Sequence, residues 1–371
     1  MFRVGKHIPL LVVSPVPWFP FQGLIRYFKP GYRLQPAKFE EQQGVEVYHP
    51  RFLAVPGLFR RLDGLSMALC SLFLLLRLKR SFRFTVIDSH FAWPDGYAAT
   101  LLGRWLGIPV TITMRGTEVP HSKDLVKRAK LLQALDRAAR VFAVADSLKR
   151  HVVSLGAVAE NIQVVGNGVD TERFAPQDRQ TARQRFDLPD DAQVLVTVGG
   201  LVERKGFHRV IELIPALLEE FPRLYYLVVG GACAEGDWRE CLEAQANDLG
   251  VRERVLFTGA VAPDELSWPL SAADIFVLPT SNEGWANVFL EAMACGLPVV
   301  TSDVGGNPEV VCHDELGTIV PFGHPEALQQ AIAQALNNNW QREKIIAYAK
   351  DNSWEHRVEH LLTAFAEIEG P

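Results

Sequence analysis

The sequence predicts an α/β protein of two domains, each built on a parallel sheet. Three observations carry this. Short apolar runs of strand length alternate with longer amphipathic segments along the chain, and strands joined through helices pair in parallel. The alternation breaks once, at Asn167-Gly168-Val169-Asp170 and Phe174-Ala175-Pro176, which read as a turn and a linker. A length of 371 residues fits two domains or one large one, and the break favours two.

In the first half, residues 8–14 (IPLLVVS) read as the opening strand. Prolines at 15, 17 and 20 then exclude a helix before Phe21. Gly44–His49 alternates as a strand, and Leu58–Arg80 is apolar and basic at once, with Leu65–Leu76 expected to be a buried helix. Phe84–Ser89, Ile108–Met114 and Val141–Ala145 are further strands. Between them lie a helix opened by Asp95 and Gly96 and a mostly basic helix over 122–139, and Asp146 or Ser147 is placed to cap the next. Ligands of such sheets bind beyond the carboxyl ends of the strands. That rule selects Ser14–Phe19, His90, Asp95, Arg115 and Glu118 as pocket candidates.

The second half restarts with a strand at Val194–Val198, followed by Lys205-Gly206 where strand passes to helix, a position suited to phosphate. Strands follow at Leu224–Val229, ending in Gly230-Gly231, and at Val255–Thr258, ending in Gly259. Asp264 begins a helix, a short strand lies at 317–320, and a helix starts near Pro325. The last helix contains Trp354 and His356.

The stretch from Pro279 to Val311 is the most informative. Ile275–Pro279 is a buried strand, Phe289–Ala294 is a helix ended by Gly296 and Pro298, Pro298–Thr301 is the next strand, and Gly305-Gly306 is a tight turn. Glu283 stands in the loop and Glu291 inside the helix, eight positions on. The amides from Gly284 to Val288 lie between them near a helix N-terminus, whose unpaired N–H groups and positive dipole end suit phosphate. Ionised carboxylates accept hydrogen bonds, and sugar hydroxyls donate them. One segment thus offers partners for a sugar and a diphosphate.

This string resembles the E-x7-E donor-site motif of glycosyltransferase family 4, retaining enzymes of the GT-B fold. Glu283 and Glu291 match the two glutamates, and Gly305-Gly306 matches the glycine pair that follows. Asn167-Gly168-Val169-Asp170 with Phe174 is similar to the signature that opens that family's second domain. The resemblance implies two Rossmann-like domains facing across a cleft: residues 1–168 for the acceptor, 169–350 for the nucleotide sugar, and a C-terminal helix over 351–371 packing back toward the first. It implies hexosyl transfer from a nucleotide diphosphate sugar to a lipid-linked or polysaccharide-precursor acceptor, with retention of configuration and no cofactor.

Residue by residue, the resemblance implies that Glu291 meets the ribose and Glu283 the donor sugar. Gly284, Trp285, Ala286, Asn287 and Val288 would lie along the nucleotide, as would Gly200, Gly259 and Val261. Lys205 would hold the diphosphate. Gly200 stands where the family carries an Arg, and Arg204 is expected to supply that charge. His90 and Arg115 lie in the acceptor domain, and Arg115 stands where many relatives have a His thought to touch the donor sugar, so that a permanent cation is expected there instead. The chain has no Asp-x-Asp triplet, so metal-free chemistry is expected. A nucleotide-sugar epimerase and a non-catalytic nucleotide-sugar binder are the rival readings. A dinucleotide oxidoreductase is disfavoured because no GxGxxG follows the first strand.

The net charge of −5 hides an asymmetry: residues 1–170 hold 23 Lys and Arg against 12 Asp and Glu, or +11, which leaves −16 for the remainder. The first half is therefore expected to meet something anionic. No nucleic-acid motif appears, so a peripheral contact with an anionic membrane, through Leu58–Arg83 and Lys123–Arg140, is the expected form. Leu65–Leu76 is too short to span a bilayer, and no signal-peptide pattern fits the first residues. Five cysteines without a CxxC pair indicate neither zinc nor a disulfide framework and point to the cytoplasm.

Overall fold

A computed structural model describes residues 2–28, 32–33, 35–55 and 60–369. The chain divides into two units, Met1–Gly166 with Val358–Pro371, and Asn167–Arg357.

The first unit begins with β1 (Val12–Val13), β2 (Val16–Trp18), α1 (Gln22–Phe28), β3 (Phe39–Gln42), β4 (Val45–Tyr48), β5 (Arg51–Leu53) and α2 (Asp63–Ser81). It continues with β6 (Ile87–His90), α3 (Tyr97–Leu106), β7 (Val110–Met114), α4 (Glu118–His121), α5 (Leu125–Arg137), β8 (Arg140–Ala143), α6 (Asp146–Ser154) and β9 (Ile162–Val164). β6, β7, β8 and β9 form a parallel sheet in that order, and β7 is buried at every position, as expected of a strand covered on both faces.

Several expectations change here. The opening strand contracts to Val12–Val13, since Pro9 has no N–H for a ladder. The proline-rich segment contains a strand: β2 pairs in parallel with β5 in a two-stranded sheet, where Pro17 needs no further partner. The hairpin of β3 and β4 went unforeseen because its turn, Gln43-Gly44, reaches positive φ without an Asn-Gly signal. Strand β9 has only three residues and was also unforeseen. Neither Asp146 nor Ser147 caps α6; Asp146 pairs with Arg150 one turn on, at 2.9 Å.

The expected buried helix is α2, but only one face is buried. Met67, Ala68, Ser71, Leu75 and Leu78 face the core, while Leu65, Leu69, Phe73 and Leu76 face outward, Phe73 at 80% exposure. A 3.6-residue period gives one inner stripe, and this helix carries more leucine than that stripe uses. Of the basic-apolar segment, residues 58 and 59 lie outside the described residues.

The second unit holds α7 (Arg179–Gln184), β10 (Gln193–Val198), α8 (Phe207–Glu220), β11 (Leu224–Val229), α9 (Arg239–Asp248), β12 (Val255–Gly259) and α10 (Ser267–Ala272). Then come β13 (Ile275–Leu278), α11 (Asn287–Ala294), β14 (Val299–Ser302), α12 (Asn307–Val310), β15 (Gly317–Val320), α13 (Pro325–Asn337) and α14 (Arg342–Asp351). Its six strands are all parallel, in the order β12-β11-β10-β13-β14-β15. Fully buried Val, Ile, Leu and Phe side chains fill both faces of this sheet.

The last helix, α15, runs Trp354–Glu369, and from Val358 onward it belongs to the first unit. There Phe365 meets Phe142 edge-on at 6.2 Å, and Glu367 pairs with Arg140 at 3.1 Å.

Candidate active site

The strand order of the second unit reverses between β10 and β13. In a doubly wound sheet the loops leaving these two strands diverge to opposite faces and open a crevice at their carboxyl ends. The loop after β10 carries Arg204 and Lys205; the loop after β13 carries Glu283. Lys205 Nζ donates to Glu283 Oε1, and Arg204 Nη1 reaches the same oxygen at 3.3 Å. Thr280 Oγ1 and Ser281 N donate to the Arg204 carbonyl at 2.9 and 2.8 Å, which ties the two loops together.

Gly206 permits this approach, and Gly305, in the loop after β14, permits a second one onto the Glu283 loop. Gly206 has φ +81°, and a Cβ there would lie 2.3 Å from the Pro279 carbonyl oxygen. Gly305 has φ +56°, and a Cβ there would lie 1.7 Å from the Glu283 carbonyl oxygen. Any side chain at either position would push the loops apart.

Glu283 opens the path to α11. Ala286 precedes that helix with no side-chain acceptor for its first amides, so those N–H groups and the dipole remain available to an anion. The Trp285 indole N–H is buried with no partner among the described residues. Asn287 Oδ1 accepts from Asn167 Nδ2 at 2.8 Å. Glu291, inside α11, is largely buried, and burial pushes its carboxyl up to about 7, with the Arg173 charge opposing. Among the described residues no hydrogen bond satisfies it. Arg173 itself pairs with Asp264.

Gly200 follows β10, and a Cβ there would lie 2.9 Å from Cys233 Sγ. Gly259 closes β12 at φ +75°, its carbonyl accepting from Gly230 N at 2.9 Å, and Val261 packs on the core. These positions share the strand-end edge with Lys205, but β11 lies between β12 and β10, and no hydrogen bond or ion pair joins Gly259 or Val261 to the Lys205–Glu283 cluster among the described residues.

Sequence reasoning missed Glu235. Its carboxylate accepts from Arg204 Nε at 2.7 Å and from Nη2 at 2.6 Å. The hydrogen bond to Glu235 raises the Arg204 pKa, and the same bond lowers that of Glu235. Nothing in the spacing of Ala-Cys-Ala-Glu-Gly signals this pairing.

In the first unit the strand-end rule is met by another cluster. Arg115, after β7, donates from Nε to His90 Nδ1 at 2.9 Å. His90 Nε2 lies 3.3 Å from Asp88 Oδ2 without hydrogen-bond alignment, and Thr111 Oγ1 donates to Asp88 Oδ1 at 2.7 Å. The Arg115 bond leaves Nδ1 unprotonated, so the neutral ring carries its proton on Nε2. Burial lowers the Arg115 pKa, with Asp88 and Glu118 opposing. Burial likewise raises the carboxyl of Asp95. Glu118 is fully buried and accepts from Ala92 N at 3.0 Å and Gly116 N at 2.9 Å. It serves the backbone, which separates it from His90 and Arg115 as a pocket candidate.

A six-stranded parallel sheet in this order, in a chain whose other unit also carries a parallel sheet, is the architecture of the GT-B fold. Solved structures agree on the fold: sucrose-phosphate synthase from Thermosynechococcus elongatus aligns with a TM-score of 0.75 and 18% identity over 96% of this chain and 97% of that one. HepE of Anabaena, solved with UDP, aligns at 0.74 and 20% over 96% and 99%. Residues 178–352 match the family described as Glycosyl transferases group 1, and residues 30–173 match Glycosyltransferase Family 4. The chain belongs to glycosyltransferase family 4.

Among relatives, it is 30% identical to a D-inositol 3-phosphate glycosyltransferase of Corynebacterium urealyticum, over 78% of this chain and 74% of that protein. It is 34% identical to a GDP-mannose-dependent alpha-(1-6)-phosphatidylinositol monomannoside mannosyltransferase of Mycolicibacterium smegmatis, over 61% and 60%. It is 28% identical to a putative teichuronic acid biosynthesis glycosyltransferase of Bacillus subtilis, over 81% and 73%.

Proposed function

We propose that this glycosyltransferase moves a hexosyl group from a nucleoside diphosphate sugar to a hydroxyl of a lipid-linked or polysaccharide-precursor acceptor, with retention of configuration and without a metal. The observation that carries the reading is the Lys205–Glu283–Arg204 cluster at the strand-order reversal. Lys205 and Arg204 offset the charge that develops on the departing diphosphate, together with the open N-terminus of α11. Glu291 accepts from the ribose hydroxyls, a role that fits a largely buried carboxylate with no hydrogen-bond partner among the described residues. Glu283 orients the donor sugar, and the turn at Gly259 and Val261 lies against the base. His90, held by Arg115, serves the acceptor side. Transfer breaks the anomeric carbon–phosphate oxygen bond and forms a bond to the acceptor oxygen on the same face, the proton passing to the leaving phosphate. The protein supplies position and electrostatic stabilisation.

The names of the mannosyltransferase and teichuronic acid relatives support a lipid-linked or polysaccharide acceptor. So does α2, whose outward Leu65, Leu69, Phe73 and Leu76 are flanked by exposed Arg77 and Arg80. No helix among the described residues is long and apolar enough to cross a membrane. An apolar stripe with a basic rim suits peripheral docking on an anionic surface at the cytoplasmic face.

The first test is a thermal-shift panel of UDP-, GDP- and ADP-sugars, since a ligand of the folded state raises its stability. The sugar that stabilises the protein is then used for turnover, and the anomeric configuration of the product is read by NMR. No stabilisation by any of them sinks the donor reading, and an inverted product sinks retention. Flotation with anionic and neutral liposomes at low and raised salt tests docking; equal recovery on both defeats it.

A further inference from the structure

We infer that Glu235 is a positioning residue of the donor site. It holds the Arg204 guanidinium beside Lys205 so that two cations meet the diphosphate together. The inference rests on the reading of Lys205 and Arg204 as the diphosphate partners.

The segment that carries Glu235 is stitched to the strand-end loop on both sides. Leu201 N donates to the Gly231 carbonyl at 3.0 Å, and the Leu201 carbonyl accepts from Trp238 N at 2.8 Å. Within that frame Cys233 and Gly236 exchange N–H···O bonds at 2.9 and 3.0 Å. The turn they close places Cys233 over Gly200, where a Cβ would come within 2.9 Å of the sulfur. A larger side chain at position 200 would displace the turn. The same turn presents Glu235 to Arg204.

Glu235 takes the Nε–Nη2 edge of the guanidinium in a two-point pair, and Nη1 reaches Glu283. Together with the hydrogen bonds on the Arg204 carbonyl, this fixes both the backbone and the plane of the head group. A free arginine would have to be ordered when the phosphate arrives. An arginine already held loses less on binding, and its planar fork gives the phosphate direction as well as charge. Glu235 therefore acts through Arg204 and need not touch the donor. Its negative charge works against anion binding, so the sign of its effect on affinity discriminates between a support and a competitor.

The experiment is calorimetric titration of UDP, GDP and ADP into the full chain. The nucleotide that binds the wild type is carried on to Glu235→Gln, Arg204→Ala, the double variant and Lys205→Ala. Unfolding temperatures are recorded for each. The expected result is a threefold to tenfold weaker dissociation constant for Glu235→Gln, with an unchanged unfolding temperature. The double variant should be no weaker than Arg204→Ala alone, a coupling that general loosening of the loop would not produce. Tighter binding by Glu235→Gln, wild-type binding, or losses that add in the double variant would each overturn the inference. If Lys205→Ala weakens binding while Glu235→Gln does not, only the role of Glu235 falls. If no nucleotide binds, or if Lys205→Ala and Arg204→Ala both bind as wild type, the diphosphate reading itself falls.

Discussion

Each unit buries a glutamate near the carboxyl ends of its parallel strands, and the two are treated in opposite ways. Glu118 is fully buried and accepts two backbone N–H bonds, from Ala92 and Gly116. Glu291 is largely buried, finds no protein donor among the described residues, and has its carboxyl pushed up to about 7. Burial alone penalises both. The difference lies in whether the fold supplies partners. Glu118 joins the turn after β6 to the turn after β7 and so belongs to the scaffold. Glu291 is a largely buried acceptor for which the described residues supply no donor, and in the proposed reading the hydroxyls of a ligand supply one.

The largest expected effect is on the scaffold side. Glu118→Ala strands the buried Ala92 amide, worth about 1–3 kcal/mol, and frees the half-buried Gly116 amide at a smaller cost, so stability should fall by roughly 2–4 kcal/mol in urea titration. A wild-type midpoint would show that Glu118 is no more structural than Glu291.

Glu291→Gln should do the reverse in the empty protein. The carboxyl rises from 4.5 to about 7 in the fold, so the folded state holds the proton more tightly than the unfolded chain. The contribution is fully present below pH 4.5 and is lost as pH rises through 7. The wild type should thus lose up to about 3 kcal/mol across that window, and the variant should not. Unfolding temperatures at pH 5 and pH 8 check this; parallel pH dependence in both proteins would refute it. In the same variant nucleotide affinity should fall roughly tenfold, the loss of a charge-assisted hydrogen bond.

Glu283→Gln sharpens the contrast within the second unit. Glu283 already has partners in Lys205 and Arg204, so neutralising it leaves those cations freer for phosphate. Turnover should fall about tenfold while donor affinity holds or improves. If instead only the Michaelis constant rises, Glu283 contributes binding common to ground and transition states.

Family and fold were legible because one unbroken run, Pro279 to Val311, encodes strand end, loop, helix, strand and turn in the order the fold uses them. Gly206 and Gly305 could be read as turns, but not as the points where one loop's backbone meets another's. Glu235 lies more than thirty positions from either end of the contact it completes, and a surface carboxylate in a turn has no periodic or motif signal. The helix at 63–81 was legible as a helix, yet burial of its leucines depended on how many faces the sheet could cover. The two-stranded β2–β5 sheet was hidden because proline argues against a strand unless the strand lies at an edge.

The smallest effect tests the first unit's own pocket candidates. Arg115 donates Nε–H to His90 Nδ1 at 2.9 Å, which places the ring proton on Nε2. That nitrogen is buried and stands 3.3 Å from Asp88 without alignment, so it is the ring atom left for a further partner. Lysine at position 115 would keep a positive charge but lose the planar donor edge. With Arg115→Lys, Nδ1 loses its fixed donor and the ring is free to exchange tautomers. Nitrogen-15 chemical shifts of His90 should report an unprotonated Nδ1 in the wild type and a mixed population in the variant. Turnover should fall about threefold to tenfold, the worth of one modest hydrogen bond, with nucleotide affinity unchanged because Lys205 and Glu291 are untouched. If the ring-nitrogen shifts are the same in both proteins, Arg115 does not set the tautomer. If nucleotide affinity falls alongside turnover, the division of labour drawn between the two glutamates' surroundings is wrong.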